Sequence, residues 1–178
     1  MSKWCVLTGG PHAGKTKTLE RLSFLGYSVR PETARILIDN EMSKGRTLAD
    51  IRRDGKAFQQ TLVKMKLDSY RTSDRNERIF WDRGFPDSIV YMGLEQMDLT
   101  EIEKYCAEIQ YEHVFLLAPM PVYSADYARA ENAERAMEVH LALGACYERL
   151  GYEVHRIQVL TIEERVSEIL EIVDGSKT

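Results

Sequence analysis

Gly9-Gly10-Pro11-His12-Ala13-Gly14-Lys15-Thr16 fits the spacing G-x-x-x-x-G-K-[ST] of a phosphate-binding P-loop. Its flanks are the ones such a loop needs. Upstream, Lys3-Trp4-Cys5-Val6-Leu7-Thr8 is a short apolar run of buried-strand type, and downstream Thr16 to Leu25 carries Leu19, Leu22 and Leu25 at helical spacing. The stretch therefore reads as strand, glycine turn and helix. Glycines let the backbone curl so that successive N–H groups point into one concavity, and the helix N-terminus adds partial positive charge. The expected nucleotide contacts are Gly9, Gly10, Pro11, His12, Ala13, Gly14, Lys15, Thr16 and Thr18. Lys15, as a solvent-facing side chain, would reach the β- and γ-phosphates, and the Thr16 hydroxyl would ligate Mg²⁺.

The rest of the chain supplies the sheet that such a loop belongs to. Short apolar or β-branched runs at 27–30, 78–82, 113–118 and 153–159 join 3–8 as five candidate strands, separated by helical patterns. That alternation implies an α/β fold, a parallel sheet with helices on both faces. The connection between strands two and three is long for a simple crossover. Pro31 opens a helix with Ala34, Leu37, Ile38 and Met42 on its stripe and Gly45 as its stop; Leu48, Ile51, Phe58, Leu62, Met65 and Ser69 mark one or two more. Residues 31–75 are the expected acceptor-binding insertion, with helical padding as the plainer alternative. Thr161 followed by Glu163 and Glu164 starts a last helix, packed through Val166, Ile169, Leu170 and Val173. No repeat, low-complexity tract or linker divides the chain, so residues 1–178 are expected to form one nucleotide-binding domain.

Three further segments carry chemistry. Arg78-Ile79-Phe80-Trp81-Asp82 is an apolar strand ending in an acid, the form of a Walker B element whose carboxylate holds Mg²⁺, usually through water. Asp82 is the acid, and Arg83 beside it carries a permanent charge able to pair with phosphate in two-pronged fashion. Asp87 is either a second active-site acid or the start of the helix around Ser88 to Met92. In Arg30-Pro31-Glu32-Thr33-Ala34-Arg35, Glu32 lies at the carboxyl end of strand two, where ligands of open parallel sheets collect. A carboxylate there accepts the proton of an attacking hydroxyl; the alternative is an acid favoured by the helix dipole. Arg35 is a candidate for an anionic acceptor or a solvated helix arginine. Residues 119–137 are polar and occupy the place of a kinase lid; Arg129 and then Arg135 are the candidate cations for charge on the transferred phosphoryl group, against a solvated helix face.

Composition narrows the function classes. A net charge of -4 over 178 residues offers no global basic field for nucleic acid or anionic membrane. Three widely spaced cysteines, Cys5, Cys106 and Cys146, argue against a disulfide framework and for a reducing, cytoplasmic compartment, with Cys5 and Cys146 packing as small hydrophobes. No apolar run approaches the ~18 residues of a membrane span. His12, His113, His140 and His155 show no metal-ligand spacing, and no Ser-His-Asp order or G-x-S-x-G elbow can be assembled.

Taken together, GGPHAGKT, RPETAR, DRGFPDS, HVFLLAP with its downstream arginines and LGYEV resemble the small bacterial P-loop "predicted ATPase" family of AAA-domain type. That family is similar to nicotinamide riboside kinase domains and, more distantly, to deoxynucleoside and nucleoside monophosphate kinases. The resemblance implies a sheet order of 2-3-1-4-5 and use of ATP with Mg²⁺. It implies that Glu32 and Arg83 match the base and the acid–arginine pair of deoxynucleoside kinases, and that the turn Val159-Leu160-Thr161 lies where such folds cradle adenine. The expected function is an ATP/Mg²⁺-dependent phosphotransferase acting on a small nucleoside-like or other metabolite. The alternative is an ATPase switch acting through a protein partner; a GTPase form is disfavoured because the chain has no [NT]-K-x-D motif.

Overall fold

The structure, a computed structural model, describes residues 2–119 and 127–175, with residues 127–133 described by backbone alone. Five strands, β1 (Cys5–Thr8), β2 (Ser28–Arg30), β3 (Ile79–Asp82), β4 (His113–Leu117) and β5 (Val154–Ile157), form one sheet in the order β2-β3-β1-β4-β5. Every pairing is parallel. The three inner strands, β3, β1 and β4, are buried along their whole length because both faces are covered, the pattern expected of a parallel sheet, whereas the edge strands β2 and β5 are partly exposed and carry Ser28, Arg30, His155 and Arg156. On one face Trp4, Val6, Trp81 and Val114 pack with Tyr70, Phe85 and Tyr111; on the other Cys5, Leu7, Phe80 and Phe115 meet Leu19, Leu22, Val166 and Ile169. Tyr70 stacks on Trp81 with centroids 3.8 Å apart and planes 9° apart, and Trp4 meets Trp81 edge-on at 5.5 Å. Such pairs add about 0.5–1.5 kcal/mol each beyond area burial.

The helices are α1 (Lys15–Phe24), α2 (Thr33–Ser43), α3 (Leu48–Arg52), α4 (Gly55–Arg71), α5 (Phe85–Leu94), α6 (Thr100–Glu108), α7 (Tyr127–Arg149) and α8 (Ile162–Gly175). The long second connection resolves into three of them, α2 to α4. Gly45, at φ +88, stops α2 as its position suggested. Thr47 and Asp54 cap α3 and α4 by accepting from the Asp50 and Ala57 N–H groups. The helix start expected at Thr161 forms as a capping box: the Glu164 carboxylate accepts from the Thr161 N–H at 2.9 Å, and the Glu164 N–H donates to Thr161 Oγ1 at 3.3 Å. Helix α6 is additional to the sequence reading; Asp98 accepts from the Thr100 N–H at 3.0 Å and starts it. In the candidate lid, residues 120–126 lie outside the described residues, and 127–137 are the opening turns of the 23-residue α7. The three cysteines are free and buried. Among the described residues no helix is long and apolar enough to cross a membrane.

Candidate active site

All five strands point their carboxyl ends the same way, so the turn after β1, the start of α2 after β2 and the turn after β3 converge at one edge of the sheet. The register sets Leu7 beside both Asp82 and Phe115. The P-loop is Gly9 to Gly14, entering α1 at Lys15. Gly9 has φ +136, and a Cβ there would lie 2.6 Å from the Leu117 carbonyl oxygen, so the turn against β4 admits only glycine. Gly14 takes φ +77 as the residue before the helix. His12 also sits at positive φ, +58, a conformation uncommon outside glycine, and its side chain is exposed.

Lys15 departs from the solvent-facing placement expected for it. It is only 7% exposed, and its ammonium donates to the Gly9 and Gly10 carbonyls, each at 3.0 Å. Burial first, then the nearby Arg83, pull its pKa down to about 8, against the attraction of Asp82 and Glu32. Thr18, expected among the nucleotide contacts, is fully buried. Its hydroxyl donates to the Gly14 carbonyl at 3.1 Å and braces the first turn of α1 from inside. Pro11, His12, Ala13, Gly14, Lys15 and Thr16 line a cleft of about 930 Å³. The far wall of the cleft comes from the start of α2 and from α4 and α5, through Glu32, Phe58, Lys66, Arg83 and Tyr91. A second groove of about 590 Å³ runs between α1 and α2 and meets the cleft at Thr16 and Glu32, with Asp82 at its floor.

Glu32 stands immediately before α2 and accepts from Arg83 Nε at 2.8 Å. Burial alone would raise its pKa, but Arg83, with Lys15 and Lys66 beyond it, holds the carboxyl below the ordinary value. Arg83 itself adopts φ +69, a costly backbone conformation for a non-glycine residue. Its Nη1 donates to the Gly9 carbonyl and to Asp87 Oδ1, each at 3.2 Å, and its guanidinium lies 5.2 Å from the Tyr91 ring centre. Despite burial, Asp87, Tyr91 and Glu32 keep it firmly protonated. Arg35 is an exposed helix arginine at 4.0 Å from Asp39 and borders the second groove. Arg135 is exposed and lines the main cleft. The Arg129 side chain lies outside the described residues.

Asp82 Oδ1 is buried without a hydrogen-bond partner, and burial pushes the Asp82 pKa up to about 6, opposed mainly by Lys15. Thr16 and Asp82 both line the second groove, so this carboxylate oxygen and the Thr16 hydroxyl could hold a cation there. The sign of the resulting stability term is definite. The folded-state value lies above the ordinary one, so ionised Asp82 costs stability in full above about pH 6, and that cost shrinks as the pH falls from about 6 toward the ordinary value of 3.8, below which it is gone. Asp82→Asn is therefore expected to raise Tm at pH 8 in a chelator, by about 4–8 °C for a relief on the order of 2 kcal/mol. At pH 5 the gain should shrink to about half and below about pH 4 it should nearly disappear; differential scanning fluorimetry at these three pH values checks it, and an equal shift at all three would refute the charge penalty.

Sequence reasoning passed over Lys66. It is 7% exposed, lines the cleft, and donates to the Gly84 carbonyl and to Ser88 Oγ, each at 2.9 Å. Burial lowers its pKa, with Asp87 opposing. The signal was available: Phe58, Leu62, Lys66 and Tyr70 share one i+4 stripe, and a lysine in an apolar stripe needs a buried partner.

The same architecture recurs in solved kinases. The chain aligns with the NadR protein in complex with NR at a TM-score of 0.71 and 19% identity, over 98% of this chain and 50% of that one. Thymidylate kinase from Ehrlichia chaffeensis aligns at 0.64 and 15%, over 97% and 98%. Deoxyadenosine kinase from M. mycoides aligns at 0.59 and 16%, over 97% and 99%. The chain thus spans about half the length of the NadR protein. At these identities the likeness is one of fold, the P-loop kinase fold with its 2-3-1-4-5 sheet. No curated protein matches the chain significantly. A family model described as an AAA domain matches residues 4–165, nearly the whole chain, and the chain belongs to that family.

Proposed function

We propose that the protein is an ATP-dependent phosphotransferase acting on a small hydroxyl-bearing metabolite of nucleoside-like size. The observation that carries this reading is the cleft itself, which continues from Gly14, Lys15 and Thr16 past Glu32 and Arg83 to a chamber walled by Phe58, Lys66 and Tyr91. A switch that only hydrolyses ATP has no need of a walled chamber beyond the γ-phosphate. The volume suits one nucleotide with a small acceptor.

In this reading the loop N–H groups and Lys15 hold the ATP phosphates, and Arg83 and Arg135 supply further positive charge from the cleft wall. The acceptor hydroxyl loses its proton to Glu32 as its oxygen bonds the γ-phosphorus and the bond to ADP breaks. Arg83 keeps Glu32 ionised and aimed. The transition state of such transfers is loose, so placing the acceptor matters more than the strength of the base; a carboxylate held below its ordinary pKa is adequate. The unpartnered Asp82 Oδ1 and the Thr16 hydroxyl fit Mg²⁺, which when bound would neutralise phosphate charge. The three free, buried cysteines favour a cytoplasmic setting.

The test is acceptor dependence. A thermal-shift panel of nucleosides, nucleotides and vitamins, with and without an ATP analogue, identifies the acceptor, since a ligand at 100 times its Kd stabilises by about 2.7 kcal/mol. With that compound, ADP and phosphorylated product are expected in equal amounts, and ATP turnover should be small without it. Turnover raised by a protein partner and indifferent to every metabolite would overturn the kinase reading in favour of a switch.

A further inference from the structure

Asp87 is fully buried and lines neither hollow, yet both its oxygens are taken. Oδ1 accepts from Thr8 Oγ1 at 2.7 Å and from Arg83 Nη1 at 3.2 Å. Oδ2 accepts from the Gly84 N–H at 2.9 Å and from the Tyr147 hydroxyl at 2.7 Å. Four donors converge on two oxygens, and only an ionised carboxylate, which accepts and never donates, satisfies them all. Burial would push its pKa up, but Arg83, Lys66 and the bonds from Tyr147 and Thr8 hold it below the ordinary value. A helix start needs only the bond to Gly84. The other three bonds join Asp87 to the last residue of β1, to α7 and to Arg83.

Arg83 is gripped at two ends, by Glu32 on the cleft side and by Asp87 on the interior side, on a backbone that is itself strained. We propose that Asp87 is a positioning residue that fixes the Arg83 guanidinium from within, so that Arg83 presents Glu32 to the cleft. Through Thr8 and Tyr147 the same carboxylate ties this pair to the strand that enters the P-loop and to the helix that carries Arg135. Gly84 supports the arrangement: a Cβ there would lie 2.5 Å from the Tyr147 hydroxyl, so a larger residue would push that donor off Asp87. The catalytic consequence rests on the proposed role of Glu32; the grip on Arg83 does not.

The experiment therefore reads both. In ¹H–¹⁵N spectra, the Arg83 Nε–H resonance, assigned by its loss in Arg83→Lys, is expected to shift and to exchange faster with water in Asp87→Asn. In the same variant kcat is expected to fall about 10–100-fold, the scale of a small misplacement of reacting groups, while ATP affinity stays within about twofold. In a Glu32→Gln background Asp87→Asn should cost no more than about threefold, because both changes act through one group. Should Asp87→Asn fail to fold, Thr8→Val and Tyr147→Phe each remove one donor at nearly constant volume and should shift the same resonance. An unmoved resonance in folded variants, or full additivity with Glu32→Gln, overturns the proposal. If no acceptor-dependent turnover exists, the proposed function fails by itself, and the resonance alone decides whether Asp87 holds Arg83.

Discussion

Lys15→Ala is expected to reduce phosphoryl transfer by roughly 10³–10⁵-fold, the range seen when a cation that stabilises a transferred phosphoryl group is removed. The fold should survive. Lys15 is buried, but its ammonium makes no direct bond to a carboxylate among the described residues; it donates to the Gly9 and Gly10 carbonyls, and the Gly9 carbonyl keeps Arg83 Nη1 as a donor when Lys15 is removed. Its pKa, drawn down to about 8 by burial, shows that the site already strains against holding this charge without an anionic partner. Removing it therefore costs little stability, and Tm should move by only a few degrees. Polyphosphate changes that balance, because it supplies the negative charge the site lacks. ATP affinity should fall along with kcat, and calorimetric titration of ATP beside a steady-state assay checks both. Turnover within tenfold of the native enzyme would remove Lys15 from the chemistry.

The sequence exposed this part of the site and hid others for a common physical reason. P-loop residues lie within one turn and act largely through backbone, so a short spacing specifies them. Asp82 and Glu32 were legible because parallel sheets deliver their functional groups at strand ends. Asp87 was visible only as a helix start or a second acid, since Tyr147 lies 60 residues away and Thr8 79 residues away, and no spacing encodes that meeting. Lys15 does not take the solvent-facing placement expected of it, and Thr18 is buried, for a different reason: the pattern fixes which residues stand there, whereas the packing of α1 on the sheet decides which side chains face outward. Thr18, one turn into α1, is turned to the sheet with Leu19 and Leu22. The long connection was recognised as helical, but its use as the cleft's far wall depends on Phe58 and Lys66 turning back over α5, which is a tertiary event.

Glu32→Gln separates a base from a mere anchor for Arg83. Glutamine keeps an oxygen that accepts from Arg83 Nε, so the pair loses its charge but not its geometry, and stability should fall by only about 1–2 kcal/mol. On the proposed reading ATP affinity should hold, because the loop amides and Lys15, not Glu32, bind the phosphates. If Glu32 takes the acceptor's proton, kcat should drop by roughly 10²–10⁴ while the acceptor KM changes little, the signature of an interaction made mainly in the transition state. The native pH profile adds an independent reading. With its pKa held below the ordinary carboxylate value by Arg83, Glu32 stays ionised throughout the neutral range, so an acid limb near pH 6 does not belong to Glu32. Glu32→Gln should therefore lower the plateau without moving that limb. A variant with native kcat would leave Glu32 as an anchor only, and the acceptor would then lose its proton without a protein base, which a loose phosphoryl-transfer transition state permits.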